Sequence, residues 1–174
     1  MKGLTMQEIK LGDSASFSKT ITEADITLFA GISGDFNPAH MNAVEAGKSM
    51  FGQRIAHGML SAGFISNVLG NYLPGPGTIY MGQELKFLKP VFIGDTVTAT
   101  ATVVERIEEK NRLKLETVVT NQKGETVITG MATVMPPKAL SSFPSGPAVS
   151  RRASPTHTIV ILCKSLGCAG NGVF

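Results

Sequence analysis

The residues best suited to chemistry are an aspartate and a histidine five positions apart, Asp35 and His40, with Asn37-Pro38 between them. An Asn-Pro pair is typical of a turn, and a turn lets side chains five positions apart face one point. A carboxylate and an imidazole that share a water molecule can activate it, with the aspartate as general base. Asn37 can lock such a turn through its own backbone bonds. The alternative that spacing leaves open is that Asp35 caps a helix and His40 is a surface residue.

A second histidine, His57, lies directly before Gly58. It either contacts a substrate or caps the start of a helix, and we favour the structural role. Residues 1–136 contain these two histidines and no cysteine. The lack of cysteine excludes a disulfide framework, a thiolate metal site and a cysteine nucleophile from this part of the chain.

The elements before the Asp35/His40 turn are a strand and a helix. Loose alternation predicts a short strand over residues 14–21. Thr22-Glu23-Ala24-Asp25 has the pattern of a helix capping box, so a helix of about three turns should begin there and end near residues 31–34. A short polar helix is predicted after the turn, over residues 42–48.

A longer helix is predicted over residues 56–73, which contain no charged side chain. Most positions outside its apolar face are small, so we interpret it as a helix that is buried all round. The Pro74-Gly75-Pro76-Gly77 cluster should end it. Its apolar face consists of Met59, Leu60, Phe64, Val68 and Leu73.

After residue 77 the hydrophobic period changes to two, which is typical of strands. The strands have near-equal lengths and short connections, which favours an antiparallel meander. Such a sheet must curl around the apolar helix to bury it, and helices grouped before strands make the class α+β. The strands are predicted over residues 78–88, 95–108, 113–120 and 126–135, with a hairpin loop at 121–124.

Length and charge define the domain organisation. The chain has 174 residues, enough for one domain and too few for two comfortable ones. Residues 1–136 carry 12 basic and 13 acidic side chains, a net charge of −1, so the formal charge of +3 arises from a +4 tail without acids. We therefore predict one domain over residues 1–136 and a disordered, Pro/Ser-rich basic tail over residues 137–174.

The same distribution bears on partners. The near-neutral body and the single basic pair Arg151-Arg152 argue against nucleic acid. The first ten residues have no apolar run, and the longest apolar stretch of the tail, residues 159–162, is far too short to span a bilayer. We expect a soluble, cytoplasmic protein without a membrane partner.

Several blocks of the sequence together resemble the MaoC-like, (R)-specific enoyl-CoA hydratases. The first block is the signature Gly34-Asp35-x-Asn37-Pro38-x-His40, which is flanked by Phe29, Ile32, Ser33 and Ala46. The chain departs from this signature at Ala39, where the family usually has a larger aliphatic residue. The resemblance extends over roughly residues 8–136. The other blocks are residues 55–60, 77–83 and 91–95.

This resemblance implies a hot-dog fold, an antiparallel sheet wrapped around a long helix. It also implies a homodimer with joined sheets, whose active sites lie near the subunit interface. The substrate would be an acyl-CoA thioester, and the reaction the reversible hydration of a trans-2-enoyl-CoA to the (R)-3-hydroxyacyl-CoA. No cofactor is implied. Asp35, His40 and His57 could ligate one metal ion, but the reaction needs none.

The resemblance also implies residue roles. Asp35 and His40 would hold and activate the water, and the Gly58 amide, at a helix N-terminus, would stabilise the thioester enolate. Plain helix entry is the alternative role for Gly58, and core packing is the alternative for the other positions. The remaining substrate-binding residues implied are Asn37, Ser66, Leu69 and Val134, and the CoA phosphates would meet basic residues such as Arg54, Lys86 or Lys89.

Two other functions are compatible with this fold. A hot-dog thioesterase would release a free thiol from an acyl-CoA, whereas a hydratase removes the enoyl chromophore without releasing thiol. A non-catalytic acyl-CoA-binding module would be expected to lack Asp35 or His40, and both are present. Because fold alone does not choose between activities, the signature residues favour hydration.

Overall fold

The computed structural model describes residues 2–138, which contain five strands and four α-helices. Almost all of the predicted basic tail lies outside the described residues. The strands are β1 (Ser14–Thr20), β2 (Ile79–Phe87), β3 (Thr96–Ile107), β4 (Arg112–Thr120) and β5 (Thr126–Met135). The helices are α1 (Glu23–Ser33), α2 (Pro38–Met41), α3 (Ala43–Gly47) and α4 (Gly58–Asn71), with a 3-10 turn at Glu108–Lys110.

The five strands form one antiparallel sheet in the order β1-β3-β4-β5-β2. Strands β3 to β5 form the predicted meander. The prediction that β2 also belongs to it, beside β3 in the sheet, was wrong. Strand β2 pairs with β5 at the far edge, from Ile79 opposite Met135 to Phe87 opposite Ile128. The segment over residues 88–95 is too long for a tight hairpin, so it can lead the chain across the sheet to β3.

The core lies between the sheet and α4, which contacts strands β1 to β4. Strand β3 confirms the predicted alternation, because Val97, Ala99, Ala101 and Val103 are at most 1% exposed while the threonines between them are half-buried. The α+β class and the hot-dog arrangement of sheet and helix are therefore confirmed.

The prediction that α4 is buried all round was wrong. Its buried side consists of Ser61, Ala62, Ile65, Val68 and Leu69, whereas Met59, assigned to the core face, is 56% exposed. Gly63 and Ser66 are also exposed. The sheet covers one side of α4. The opposite side of this helix stays open to solvent, even though it carries no charged side chain.

The end of α1 delivers the chain to the Asp35/His40 turn. Thr22 and Asp25 form the predicted capping box at the start of this helix. Ile26 and Ala30 are fully buried and fix the helix against the core. Gly34 adopts a left-handed conformation with φ 76° and closes the helix through its N–H to the Ala30 carbonyl, a conformation that glycine reaches at the least energy.

Candidate active site

The turn over residues 35–40 is held by hydrogen bonds within itself. The backbone N–H of Asn37 donates to Oδ1 of Asp35 at 3.2 Å, and Oδ1 of Asn37 accepts from the N–H of Ala39 at 3.0 Å and so caps α2. Pro38 occupies the first position of α2, where a missing N–H does no harm. The exposed Asp35 thus lies in the turn just before α2, and the half-buried His40 lies within α2.

The orientation of His40 is fixed by a main-chain carbonyl. Its Nδ1 lies 2.9 Å from the carbonyl oxygen of Ile55. A carbonyl oxygen can only accept, so Nδ1 must carry the hydrogen, and the neutral ring then has its lone pair on Nε2. The ring lines the cavity described below, and its second nitrogen is able to accept a proton there.

The segment over residues 54–57 runs alongside the turn and ties it down. Nε of Arg54 donates to the carbonyl of His40 at 2.6 Å, and the N–H of Ile55 donates to the carbonyl of Ala39 at 3.1 Å. Arg54 also forms an ion pair with Glu23 at 2.6 Å. Because two of its guanidinium nitrogens, Nε and Nη2, are engaged and the side chain is only 17% exposed, this geometry gives no support to the prediction that Arg54 meets a CoA phosphate.

His57 belongs to the same segment. It precedes α4 but makes no side-chain capping bond, so the capping role considered for it was wrong. Its Nε2 lies 2.9 Å from the carbonyl oxygen of Asp35 and donates to it. The ring is 2% exposed and lies between two others, with centroids 3.9 Å from His40 and 4.9 Å from Phe29.

Asp35, His40 and His57 form a compact cluster in which candidate ligand atoms lie within 4.8 Å of one another. Aspartate and imidazole suit a first-row divalent metal ion. However, Nε2 of His57 is committed to the Asp35 carbonyl, and its other nitrogen, Nδ1, is sealed from solvent. The cluster therefore favours a proton-transfer site over a metal centre.

A cavity of about 620 Å³ opens beside this cluster. Most of its lining residues are apolar, which suits an aliphatic chain, and the cluster of Asp35, His40 and His57 belongs to the same lining. The apolar lining comes from Phe29, Met50, Phe51, Ile55, Ala56, Met59, Phe87, Leu88, Pro90, Val91 and Ile128. The polar lining comes from Ser33, Asp35, His40, His57, Ser61 and Lys89.

Gly58 lies on the cavity wall as the first residue of α4. The N–H groups of a first helical turn have no acceptor within the helix, and the helix dipole favours negative charge there. A Cβ at this position would lie 2.8 Å from Cε1 of Phe87, so only glycine fits without displacing that ring. The start of α4 thus presents a backbone donor that a substrate can approach closely.

The structure brings three of the predicted site residues together at this cavity, namely Asp35, His40 and Gly58. The other four lie outside the lining. Asn37 is exposed and uses its side-chain oxygen as a helix cap, Ser66 lies on the open side of α4, and Leu69 and Val134 are core residues that are 1% and 0% exposed. Of the basic residues named for CoA, Lys89 lines the cavity and pairs with Glu125 at 2.6 Å.

Sequence reasoning missed Ser61 and Phe87 as lining residues. Ser61 lies one helical turn after Gly58, so its position on the same side of α4 was available from spacing. Its Oγ is buried without a hydrogen-bond partner among residues 2–138. Phe87 is the last residue of β2, and its place over Gly58 depends on β2 pairing with β5, which no local pattern indicates.

Comparison with known proteins places these observations in a family. The MaoC like domain matches residues 7–128. An (R)-specific enoyl-CoA hydratase from Rhodospirillum rubrum is 59% identical over 131 residues, covering 75% of this chain and 90% of that protein. A 3-hydroxybutyryl-CoA dehydratase from Methylorubrum extorquens is 40% identical over 144 residues, covering 83% of this chain and 91% of that protein.

Structural comparison gives the same result. The R-hydratase PhaJ1 from Pseudomonas aeruginosa, in its unliganded form, superposes with a TM-score of 0.74 at 41% identity. The match covers 82% of this chain and 94% of that one. Within residues 2–138, no helix has the length and apolar character needed to cross a membrane.

Proposed function

The chain belongs to the MaoC-like domain family, and we propose that it is an (R)-specific enoyl-CoA hydratase, which converts a trans-2-enoyl-CoA reversibly to the (R)-3-hydroxyacyl-CoA. The observation that carries the proposal is the convergence of Asp35, His40 and Gly58 on one apolar cavity. These residues come from two separate segments, the turn over residues 35–40 and the start of α4, and they supply two acceptors for a water molecule and one donor for a carbonyl oxygen. Relatives named as a hydratase and as a dehydratase fit the two directions of one reaction.

The nucleophile is a water molecule held between Asp35 and His40. Its two hydrogens are accepted by the carboxylate of Asp35 and by Nε2 of His40, which is left without a hydrogen by the bond from Nδ1 to Ile55. The water oxygen attacks C3 while one proton passes to this pair of acceptors. The pair then delivers a proton to C2, so the elements of water are added and both side chains return to their starting state.

The charge that develops during attack is carried by the thioester oxygen. The N–H of Gly58 donates to this oxygen, and the dipole of α4 adds a favourable potential at the same point. Such a donor in a cavity with little water is worth about 100- to 1,000-fold in rate. Placing the thioester at Gly58 with C3 at the Asp35/His40 pair also fixes which face of the double bond meets the water.

The rest of the substrate follows from the lining of the cavity. The acyl chain occupies the part near Val91 and Ile128, and Lys89, a cavity-lining residue whose side chain is 51% exposed, is the described basic side chain that we assign to a CoA phosphate. Leu69 and Val134 belong to the same hydrophobic core as these lining residues. They would influence the accepted chain length through packing behind the wall.

The protein is further proposed to act as a homodimer. Strand β2 is an edge of the sheet, and Ile79, Tyr80 and Met81 at its start are 58%, 38% and 42% exposed. An edge strand with apolar side chains favours pairing with a second copy. A partner would also cover the open side of α4, where Ser66 lies, so a substrate-binding role for Ser66 depends on the dimer.

The test is the hydration of crotonyl-CoA by the purified chain and by Asp35→Asn and His40→Gln. We expect the enoyl absorbance to fall with the wild type and kcat to drop by about 100- to 10,000-fold in both variants, since each removes a proton-transfer group. Asp13→Asn is the matched control, because the Asp13 carboxylate also accepts a backbone N–H, at 2.7 Å, but lies on the approach to β1. It should keep the wild-type rate.

Two results would contradict the proposal. A near-wild-type rate for either variant would remove the Asp35/His40 pair from the mechanism. Stoichiometric release of free thiol from the same substrate would identify a thioesterase instead. Asp35→Asn should keep the wild-type thermal midpoint, because Asp35 is exposed. His40→Gln loses the bond from Nδ1 to the Ile55 carbonyl, so its midpoint is measured on the same samples and the rate is compared below that temperature.

A further inference from the structure

The two ends of the catalytic turn are anchored very unequally. At the His40 end, Arg54 donates to the carbonyl of His40, and Ile55 bonds both to Ala39 and to the His40 ring. At the Asp35 end, the other hydrogen bonds are local ones of 3.2 Å: the N–H of Asp35 donates to Oγ of Ser33, and the N–H of Asn37 donates to the Asp35 carboxylate. Among residues 2–138, the one bond that ties Asp35 to a distant segment comes from His57.

His57 also fixes the other member of the pair. Its ring stacks on the ring of His40 at a centroid distance of 3.9 Å and an interplanar angle of 32°. Phe29 closes the opposite side at 4.9 Å. One buried imidazole therefore sets the main-chain position of Asp35 through a hydrogen bond and the ring position of His40 through packing.

The environment of His57 indicates a role other than stability. Its Nδ1 is buried and has no hydrogen-bond partner among the described residues. A buried polar atom without a partner lowers stability, and histidine is not a favoured residue before a helix when its side chain makes no cap. An apolar residue or an ordinary capping residue would serve the fold at least as well.

We propose that His57 is a positioning residue of the hydratase, which holds the Asp35 carboxylate at the distance from Nε2 of His40 that one water molecule can bridge. The proposal rests on the proposed function. It assigns to His57 no contact with the substrate. Its effect on the rate runs entirely through Asp35 and His40.

The test compares two amides at position 57. Glutamine places its Nε2 about where the histidine Nε2 lies and can still donate to the Asp35 carbonyl, whereas asparagine is one methylene shorter and cannot reach it. A misplacement of about 1 Å can lower a rate by about 100-fold. We expect His57→Asn to lower kcat for crotonyl-CoA by about 10- to 100-fold with KM changed less than about threefold, and His57→Gln to restore most of kcat.

Two controls separate positioning from stability. Val103→Ala removes a core side chain on β3 that is 1% exposed and outside the cavity lining, so it should lower the thermal midpoint and leave kcat unchanged. In an Asp35→Asn/His40→Gln background, His57→Asn should cause no further loss of activity, because both groups that it positions are already gone. Equal kcat values for the two amides, a loss confined to KM, or a further loss in that background would overturn the proposal.

A structural measurement keeps this result distinct from a failure of the proposed function. Crystal structures of the free His57→Asn and His57→Gln proteins report the separation of Asp35 and His40 without any substrate. The candidate ligand atoms of Asp35 and His40, a carboxylate oxygen and a ring nitrogen, now lie within 4.8 Å of each other. We expect this distance to exceed 4.8 Å in His57→Asn and to stay within it in His57→Gln. An unchanged separation in His57→Asn refutes the positioning role, whereas a wild type without hydratase activity refutes the function and leaves the geometric result standing.

Discussion

Replacement of Gly58 by alanine tests the link between the start of α4 and the reaction. The added Cβ would lie 2.8 Å from Cε1 and 2.9 Å from Cδ1 of Phe87, closer than real Cβ contacts. Phe87 is 53% exposed, so its ring can swing away at little cost. The methyl group then occupies cavity space directly beside the amide that we propose as the donor to the thioester oxygen.

The substitution should lower activity without lowering stability. In a helix interior alanine is favoured over glycine by about 1 kcal/mol, or about 2–4 °C in the midpoint of a chain of this size, and this is an upper limit for Gly58 because it is the first residue of α4. Loss of one donor to an oxyanion costs about 100- to 1,000-fold in rate, or about 2.7–4 kcal/mol. Gly58→Ala should therefore be as stable as the wild type and lose about 100-fold or more in kcat/KM.

The assay is steady-state hydration of crotonyl-CoA, with the thermal midpoint measured on the same samples. The double variant Gly58→Ala/Phe87→Ala is the decisive control, because it removes the ring that the methyl displaces. If the amide is the functional group, the double variant stays slow, since the methyl still holds the thioester away. Recovery of the rate in the double variant, or a single variant within about threefold of the wild type, would refute the reasoning and leave Gly58 as a packing residue beneath Phe87.

Two further predictions concern stability and assembly. Hydrogen bonds from Lys19 and Thr22 outweigh partial burial and hold the pKa of Asp25 below its usual 3.8, so its contribution to stability is present above that value and is lost as the pH falls through the lower folded-state pKa. The thermal midpoint should drop in that acid range in the wild type and less steeply in Asp25→Asn, and parallel curves would contradict this. Ser66→Arg should convert a dimer to monomers in analytical ultracentrifugation and lower activity, because it places a charge on the open side of α4, and an active dimer would remove that side from the interface.

The parts of the fold that could be predicted are those encoded by short patterns. The Thr22/Asp25 capping box, the end of α1 near residues 31–34 and the alternation from Val97 to Val103 each follow from a few neighbouring residues. The same holds for the turn that presents Asp35 and His40. Local chemistry determines these features, so the structure reproduces them closely.

The parts that could not be predicted depend on contacts between distant segments. The placement of β2 beside β5 depends on which edge of the sheet remains free. No sequence pattern within β2 indicates which strand it pairs with. Hydrophobic periodicity does not show that one side of α4 is open, because small residues such as Gly63 and Ser66 suit either a tight core or an interface. His57 looked like a residue at a helix start, since its bond to Asp35 spans 22 positions.

The bond between His40 and Ile55 sets the tautomer of His40. The tautomer of a histidine is set by the bond that its other ring nitrogen makes, with a carboxylate side chain or with a backbone carbonyl, and a substitution can remove only the side chain. Here the partner is the main-chain carbonyl of residue 55, 2.9 Å from Nδ1, and every residue type supplies it. The lone pair on Nε2 is therefore secured by backbone geometry alone. By contrast, the position of Asp35 depends on a bond from the side chain of His57. A substitution of His57 can therefore separate Asp35 from His40 while both of those side chains are kept.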